Sequence, residues 1–326
     1  MSKIRTGIVG YGNIGRGVEK IIRENPDFEL TAILTRRPPE ELATGSPSAL
    51  KIHVDDAPDL KGKVDIMILC GGSATDLPLQ GPEFAKNFNT VDSYDTHKKI
   101  PKYYDAMNEA SKKSGLISVI SAGWDPGLFS MNRVIMKSVL PNGSSCTFWG
   151  KGVSQGHSDA IRRIAGVEMA VQYTIPVATA IEKARKGEGE SMTPRDKHIR
   201  ECFVVVKDGA DKRDIEDRIK TMPYYFADND TIVHFISKEE FIAGHSGMPH
   251  GGFVIHSSRT GGNRQIMEFS LNLCSNPEFT ASVLIAFARA AYRYYGEGRT
   301  GALTALDIPL SYLSAQPDEE LRREML

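Results

Sequence analysis

The chain has 326 residues, 40% hydrophobic and 25% charged, which is enough for two domains and typical of a globular protein. The formal net charge of −1 gives no reason to expect nucleic acid or an anionic membrane as a partner. No apolar run approaches the roughly 18 residues that a membrane span needs. The four cysteines are widely scattered and form no C-x-x-C pair, which predicts reduced thiols in a cytoplasmic protein and no zinc site.

A glycine-rich turn stands near the start of the chain, between a predicted strand and a predicted helix. It has the pattern G-x-G-x-x-G, which lets the chain turn tightly, lets a pyrophosphate approach the backbone and lets the helix pack on the strand. The N-terminus of the helix then offers its N–H groups to the phosphates. The alternative is a mere tight turn. The pattern predicts a dinucleotide site that includes Gly10, Tyr11, Gly12, Asn13, Ile14 and Gly15.

The end of the second predicted strand, Phe28–Leu34, indicates which dinucleotide binds. Chains that bind NAD usually carry an acidic residue about 20 positions after the glycines, where it binds the ribose 2′-hydroxyl. This chain has Thr35, Arg36 and Arg37 there. Guanidinium groups suit a 2′-phosphate because each can donate paired, charge-assisted hydrogen bonds. The sequence therefore predicts NADP, with a solvated basic turn as the alternative.

Three further strands are predicted at Val64–Leu69, Asn89–Ser93 and Leu116–Ile120. Their alternation with helical segments predicts a parallel, doubly wound sheet, whose carboxyl edge faces the ligand. A plain turn is the alternative for the segment at 70–76. The other predicted cofactor-binding residues lie there: Cys70, Gly71, Gly72, Ser73, Ser93, Tyr94, Asp95, Ala122 and Gly123.

The pattern changes after Gly127. A helix at 128–140 is followed by longer strands, the last two of which form a hairpin through residues 260–263. These features predict a second, α+β domain with a mixed or antiparallel sheet. A long Ala-rich helix at 279–295 and a helix from about Pro317 close the chain.

Together these features closely resemble the meso-diaminopimelate dehydrogenase family. The resemblance spans nearly the whole chain, and the combination of motifs is specific although no single one is. The motifs are G-Y-G-N-I-G at 10–15, T-R-R at 35–37, C-G-G-S at 70–73, V-D-S-Y-D-T-H at 91–97, S-A-G-W-D-P-G at 121–127, F-W-G-K-G-V-S-Q-G-H-S-D at 148–159 and M-P-H-G-G at 248–252.

The resemblance implies an α/β fold with two domains. A Rossmann-type domain at 1–122 is rejoined by about 277–326, and residues 123–276 form an α+β domain for substrate binding and dimerisation. The implied reaction is NADP-dependent oxidative deamination of meso-2,6-diaminopimelate at its D centre, giving L-2-amino-6-oxopimelate and ammonia. The implied protein is a homodimer, and the reverse reaction supplies a precursor of lysine and peptidoglycan.

Oxidation of an amine-bearing carbon needs groups that hold the ammonium and accept its proton. Asp95 and Asp125 stand at predicted strand ends, and the resemblance implies that both contact the D-centre amino group. The residues alone also allow a loop hydrogen bond for Asp95 and a helix N-cap for Asp125. Trp124 and Trp149 could shield the reacting centre or lie in the core.

The far end of the substrate is an L-amino acid, whose carboxylate needs a cation and hydroxyl or imidazole donors. Thr174, Arg200 and His250 match the family positions for this role, although an arginine on a strand face or a histidine in a loop is commonly exposed. A metal pair of His245 and His250 is not expected, since no further ligands stand at usual spacings. The resemblance adds Phe148, Gln155, Asp159 and Asn276 as substrate-binding residues. A helix start for Asp159 and a helix cap for Asn276 are the alternatives.

Two other functions remain open on the sequence. One is another Rossmann-type NADP oxidoreductase, acting on a sugar or an aspartate-pathway intermediate, which a lysine–histidine catalytic pair would favour. No such pair stands in the early second domain. The other is a non-catalytic NADP-binding sensor, which would present an apolar pocket where this chain has two carboxylates and a basic group.

Overall fold

The computed structural model describes residues 3–326, and their contacts form two compact units. One unit ends at Met131 and resumes at Pro277, and the other runs from Asn132 to Asn276.

The first unit is built from strands and helices in alternation. Its elements up to the boundary are β1 (Ile4–Val9), α1 (Asn13–Glu24), β2 (Phe28–Thr35), β3 (Leu50–His53), β4 (Ile66–Leu69), α2 (Leu77–Ala85), β5 (Asn89–Asp92), α3 (Ile100–Ser114), β6 (Ile117–Val119) and α4 (Leu128–Val139), which runs across the boundary.

The second unit is richer in strands. It contains β7 (Ser144–Trp149), β8 (Gly152–Val153), α5 (Gln155–Arg162), β9 (Val167–Pro176), α6 (Ala178–Lys186), α7 (Pro194–Lys197), β10 (His198–Val206), α8 (Lys212–Lys220), β11 (Asp230–Phe235), α9 (Lys238–His245), β12 (His250–Thr260) and β13 (Asn263–Leu273). The chain then returns to the first unit with α10 (Asn276–Gly296), β14 (Gly301–Leu303), α11 (Leu310–Leu313) and α12 (Asp318–Met325).

The first unit contains a parallel seven-stranded sheet in the order β3-β2-β1-β4-β5-β6-β14. Successive strand residues face opposite sides. Ile66 and Ile68 belong to the core that includes α1 and α10, whereas Met67 and Leu69 belong to the core that includes α2 and α3. Strands buried on both faces read as continuous apolar runs, which is why the sequence predicts them. The strand order reverses between β1 and β4, and ligands bind outside the carboxyl ends at such a point.

The second unit contains two sheets. In the first, β11-β10-β9-β8, the pair β10–β11 is parallel and the other pairs are antiparallel. The second, β13-β12-β7, is antiparallel throughout and includes the predicted hairpin. The predicted fold class, a Rossmann-type sheet with an α+β domain, is confirmed.

Two elements of the first unit are not predicted from the sequence pattern. Helix α2 contains Pro78, Gly81 and Pro82, which normally indicate a loop. Strand β14 has only three residues, yet it pairs with β6 because α10 carries the chain back to the sheet. Both depend on the surrounding unit more than on local preference.

Candidate active site

The glycine turn after β1 has the geometry of a phosphate-binding loop. Gly10 has φ +91°, and a Cβ there would lie 3.4 Å from the carbonyl carbon of Cys70, at the end of β4. A Cβ on Gly15 would collide with the carbonyl oxygen of Gly10, so glycine lets α1 pack on the turn. Among the described residues, a Cβ on Gly12 would meet nothing within 4 Å, and Gly12 as the N-cap residue has no side chain to cap α1. The open face and the helix N-terminus together can accept a pyrophosphate.

The basic residues after β2 are held against this turn. An Arg37 Nη donates to the Tyr11 carbonyl at 3.2 Å, and the Arg37 N–H donates to Thr35 Oγ1 at 3.1 Å. Arg36 forms a two-pronged ion pair with Asp76 at 3.0 and 3.3 Å, although its side chain remains 65% exposed. Asp76 also accepts from the Gly72 N–H at 2.8 Å. Sequence reasoning missed Asp76, which fixes Arg36 beside two loops that are expected to bind the cofactor.

The loops that follow β5 and β6 lie side by side. A Cβ on Gly123 would lie 3.7 Å from the Ser93 Cβ. Asp95 is exposed, and its N–H donates to Ser73 Oγ at 2.8 Å, which ties it to the loop after β4. Asp125 lies in a tight turn that is closed by a 3.0 Å bond from the Gly123 N–H to the Pro126 carbonyl.

Asp125 lies just before helix α4. Helix α4 begins at Leu128, so its N-cap position is Gly127, and Asp125 lies two residues earlier. The Gly127 N–H donates to Ser130 Oγ at 3.3 Å.

Several predicted ligand-contacting residues have buried side chains. Tyr94 is 1% exposed and stacks on Tyr103 at 4.2 Å between ring centres. Ala122 is fully buried, and Trp124 is 8% exposed and meets Phe129 edge-on. Such residues can offer a ligand mainly their backbone.

The two aromatic residues at the end of β7 have different surroundings. The Phe148 side chain is completely buried with Cys146, Ala180 and Ile255, so it belongs to the core and presents no surface to a substrate. Trp149 is 39% exposed and stacks on His198 at 5.5 Å. Of the two, only Trp149 has an open side-chain face.

Thr174, Arg200 and His250 come together in the second unit. Thr174 on β9 pairs with Arg200 on β10 and with Gly152 on β8. A Cβ on Gly152 would lie 2.5 Å from the His250 ring, so the absence of a side chain there makes room for the imidazole. An Arg200 Nη donates to Thr174 Oγ1. Three distant segments therefore place a cation, a hydroxyl and an imidazole side by side.

The Arg200 side chain is half-buried, and it has no counter-ion among the described residues. Burial lowers its pKa from the ordinary value, and its Nε has no hydrogen-bond partner among the residues that the structure describes. Within residues 3–326, no carboxylate forms an ion pair with it. A buried charge is costly unless it is paired, so this position is suited to an anionic ligand. Burial also lowers the pKa of His250, which favours its neutral form.

Gln172 is a polar residue of this set that sequence reasoning missed. It is fully buried on β9, and its Nε2 lies 3.4 Å from Thr174 Oγ1. Its Oε1 has no hydrogen-bond partner within residues 3–326. The sequence signal that could have found Gln172 is its position two residues before Thr174, since residues two apart on a strand share a face.

The remaining predicted residues lie at helix starts or on the surface. Gln155 is the exposed first residue of α5. Asp159 lies one turn further on and pairs with Arg162, so it is not at the helix start. Asn276 is the first residue of α10, and its N–H donates to the Met248 carbonyl at 3.0 Å.

Within residues 3–326, no helix is long and apolar enough to cross a membrane, and no group of three His, Cys, Asp or Glu residues is arranged to hold a metal ion.

Acid is expected to destabilise the protein partly through His198. This ring is 2% exposed and accepts from the Trp149 N–H at 2.9 Å, and burial together with Arg200 and Lys197 lowers its pKa from 6.5 to about 4. Between pH 6.5 and about pH 4 the His198 ring is therefore protonated in the unfolded chain but not in the folded protein. The free energy of unfolding falls as the pH falls through this range. The loss should reach up to about 3 kcal/mol.

Urea unfolding at about pH 7 and about pH 4.5 measures this effect. His198→Gln keeps an acceptor for the Trp149 N–H and should weaken the acid dependence, whereas His97→Gln, at an exposed position, should not. An acid dependence that is identical in the wild type and His198→Gln would contradict the assignment.

The fold and the glycine turn define the class. A Rossmann-type dinucleotide-binding protein has the strand order 3-2-1-4-5-6 and a glycine turn where that order reverses, and this chain has both. The two arginines after β2 also fit this class. Comparison with known proteins gives the family. The chain belongs to the meso-diaminopimelate D-dehydrogenase family, which confirms the resemblance seen in its motifs.

The similarity covers the whole chain. Residues 123–275 match the diaminopimelic acid dehydrogenase C-terminal domain. The meso-diaminopimelate D-dehydrogenase of Ureibacillus thermosphaericus is 60% identical over 327 residues and all of both chains. The structure of the Corynebacterium glutamicum diaminopimelate dehydrogenase in complex with diaminopimelate has a TM-score of 0.92, with 47% identity and full coverage of both chains. An engineered D-amino acid dehydrogenase bound to NADP+ has a TM-score of 0.87, with 45% identity and the same coverage.

Proposed function

We propose that this protein catalyses the NADP-dependent oxidative deamination of meso-2,6-diaminopimelate at its D centre. The products are L-2-amino-6-oxopimelate and ammonia, and the reverse reaction makes a precursor of lysine and peptidoglycan. Family membership supports the proposal, because relatives that match the full length of the chain carry this activity in their names.

The observation that carries the proposal is the half-buried guanidinium of Arg200, which has no carboxylate partner among the described residues. A dehydrogenase for amino acids with a single carboxylate has no need of a second, partly desolvated cation. A substrate with a second carboxylate does need one, and Thr174 and His250 add a hydroxyl and an imidazole beside it. The unpartnered Gln172 Oε1 offers an acceptor that suits the distal ammonium of the same L-amino acid end.

The residues of the first unit fit NADP. The open turn at 10–15 would hold the pyrophosphate, and Arg36 and Arg37 would hold the 2′-phosphate. Residues 70–73, 93–95 and 122–123 would line the dinucleotide at the carboxyl edge of the sheet. When bound, NADP accepts the hydride that leaves the D-centre carbon.

Asp95 and Asp125 hold the reacting group in this proposal. Their carboxylates bind the ammonium and help to take its proton, so that the nitrogen lone pair can form the C=N bond as the hydride leaves. Water then adds to the imine carbon, and ammonia departs from the resulting carbinolamine. Trp124 contributes mainly its backbone, and Trp149 contributes its exposed ring face. Phe148 contributes through packing and backbone, and Gln155, Asp159 and Asn276 contribute polar contacts.

We assign cofactor binding and substrate binding to different domains. Residues 1–122 with 277–326 serve the cofactor, and residues 123–276 serve the substrate and the contact of a homodimer. The cysteines Cys70, Cys146, Cys202 and Cys274 are free thiols, which supports a reducing cytoplasm as the place of action.

A spectrophotometric assay of NADP reduction tests the function. Purified protein should reduce NADP with meso-diaminopimelate much faster than with the LL isomer, which lacks a D centre, and should release one ammonia for each NADPH. A protein that binds NADP but reduces it with no amino acid would be a sensor. If sugars or aspartate-pathway intermediates supported NADP reduction and meso-diaminopimelate did not, the protein would be another Rossmann-type NADP oxidoreductase.

Arg36→Ser is expected to raise the KM for NADP and to change kcat much less. The contact is remote from the hydride and is made equally in the ground and transition states. Hydrogen bonds to a charged group contribute about 1.5–3 kcal/mol each, so the KM should rise roughly ten- to hundredfold. Initial rates at varied NADP and saturating diaminopimelate give both constants.

Arg5→Ser is the matched control. Arg5 forms a two-pronged pair with Asp65 at the amino end of β1, on the edge of the sheet away from the glycine turn. Its loss should leave the KM for NADP unchanged. Equal use of NAD and NADP by the wild type would show that Arg36 does not select the cofactor.

A further inference from the structure

Asp92 is a fully buried carboxylate at the end of β5, three residues before Asp95. Its Oδ1 accepts from the backbone N–H groups of Tyr94 at 2.9 Å and Ser121 at 3.1 Å. Its Oδ2 accepts from the Tyr103 hydroxyl at 2.8 Å. An ionised carboxylate accepts hydrogen bonds only, so these donors suit its charged form.

The Asp92 backbone also links the end of β5 to the loop after β6. Its carbonyl accepts from the Ala122 N–H at 2.8 Å, so the main chain and the side chain of one residue bind two successive N–H groups of the loop after β6. Asp92 therefore connects the loop that carries Asp95 to the loop that carries Asp125.

Ser121 shows why this connection matters. It has φ +55°, a left-handed conformation that is uncommon and strained for a residue other than glycine. Such a conformation persists only where the surroundings determine it, and the bond to Asp92 is one such determinant. The direction in which the chain leaves β6 towards Asp125 is set at this residue.

Burial raises the pKa of Asp92 from 3.8 to about 6, and the bonds from Tyr94, Ser121 and Tyr103 oppose that rise. The carboxylate is thus mainly ionised at neutral pH, where it accepts from all these donors.

We propose that Asp92 is a positioning residue of the deamination, which fixes the loops after β5 and β6 so that Asp95 and Asp125 are correctly placed. The inference rests on the proposed function, because the two carboxylates have catalytic roles only in that reaction. A displacement of about 1 Å in a reacting group can lower a rate by about a hundredfold, so a remote carboxylate can control kcat without touching the substrate.

The test compares Asp92→Ala, Asp92→Asn and Ser118→Ala. Alanine removes every side-chain contact, whereas asparagine keeps an oxygen for the two N–H groups and can donate to the Tyr103 hydroxyl. Ser118 is the matched control, because it is fully buried on β6 and its hydroxyl bonds Thr90 and Ser111 at 2.7 Å, with no side-chain hydrogen bond to either loop among the described residues.

Two measurements are made on each protein. The first is the split between kcat for meso-diaminopimelate and the Kd for NADP. The second is hydrogen exchange of the segments 93–97 and 121–127, which reports loop order without any reaction.

Asp92→Ala should lower kcat about thirtyfold and speed exchange in both segments, while the Kd for NADP changes less than about threefold because the phosphate contacts remain. Asp92→Asn should stay within about threefold of the wild-type kcat, and Ser118→Ala should lose stability but keep kcat. If Asp92→Ala does not fold, Asp92→Ala with Ser121→Gly replaces it, since glycine adopts positive φ freely.

Wild-type kcat or unchanged exchange in Asp92→Ala would overturn the proposal, and so would an equal loss of kcat in Ser118→Ala. A wild type without activity on meso-diaminopimelate would instead refute the proposed function, and the exchange data would still decide whether Asp92 fixes the loops.

Discussion

Asp125→Asn should lower kcat/KM for meso-diaminopimelate about a hundredfold while cofactor binding and the fold persist. The amide can still form hydrogen bonds, but it cannot balance the ammonium charge or take its proton. The measurement is kcat/KM at saturating NADP, together with the Kd for NADP and the thermal midpoint.

Asp211→Asn shows what the same exchange does at a true helix cap. Asp211 caps α8 by accepting from the N–H groups of Arg213 and Asp214. Asparagine caps helices about as well as aspartate, so this variant should keep full activity. If Asp125→Asn behaved in the same way, Asp125 would have only a structural role.

The sequence predicts the sheet of the first unit well because its strands are short, apolar and buried on both faces. The same topology explains why residues scattered from Gly10 to Asp125 meet at one edge, since parallel strands bring their carboxyl ends together. Strand β14 is the exception, because its sequence does not predict a strand. Its three residues pair with β6 only because a long helix returns the chain to the sheet.

The site is less predictable than the sheet. Adjacent residues on a strand face opposite ways, so Phe148 and Trp149 could not both point to one side, but alternation does not say which is buried. The register of β7 with β12 and the packing of α6 place Phe148 in the core. The pairing of Asp76 with Arg36 joins segments forty positions apart and leaves no local pattern.

Arg200→Leu should lower activity on meso-diaminopimelate by a factor of about 30 or more. Truncating one partner of a buried charge pair costs about 2–5 kcal/mol, and each 1.4 kcal/mol is about tenfold. The distal carboxylate would enter a buried place that has lost its cation. D-amino acids with apolar side chains would no longer meet an unpaired guanidinium, so their kcat/KM relative to meso-diaminopimelate should rise. Both substrates are measured on both proteins at saturating NADP.

Arg195→Leu is the control for the loss of an arginine as such. Arg195 lies five positions earlier, is 55% exposed and pairs with Asp230 on the surface. Exposed pairs contribute about 0–1 kcal/mol, so neither substrate should be affected. A proportional loss on both substrates in Arg200→Leu would mean that Arg200 supports the fold or the reacting centre. A change in relative kcat/KM towards apolar D-amino acids, with NADP binding intact, is the result expected of a distal-carboxylate site, because the reacting D-centre is the same in both substrates.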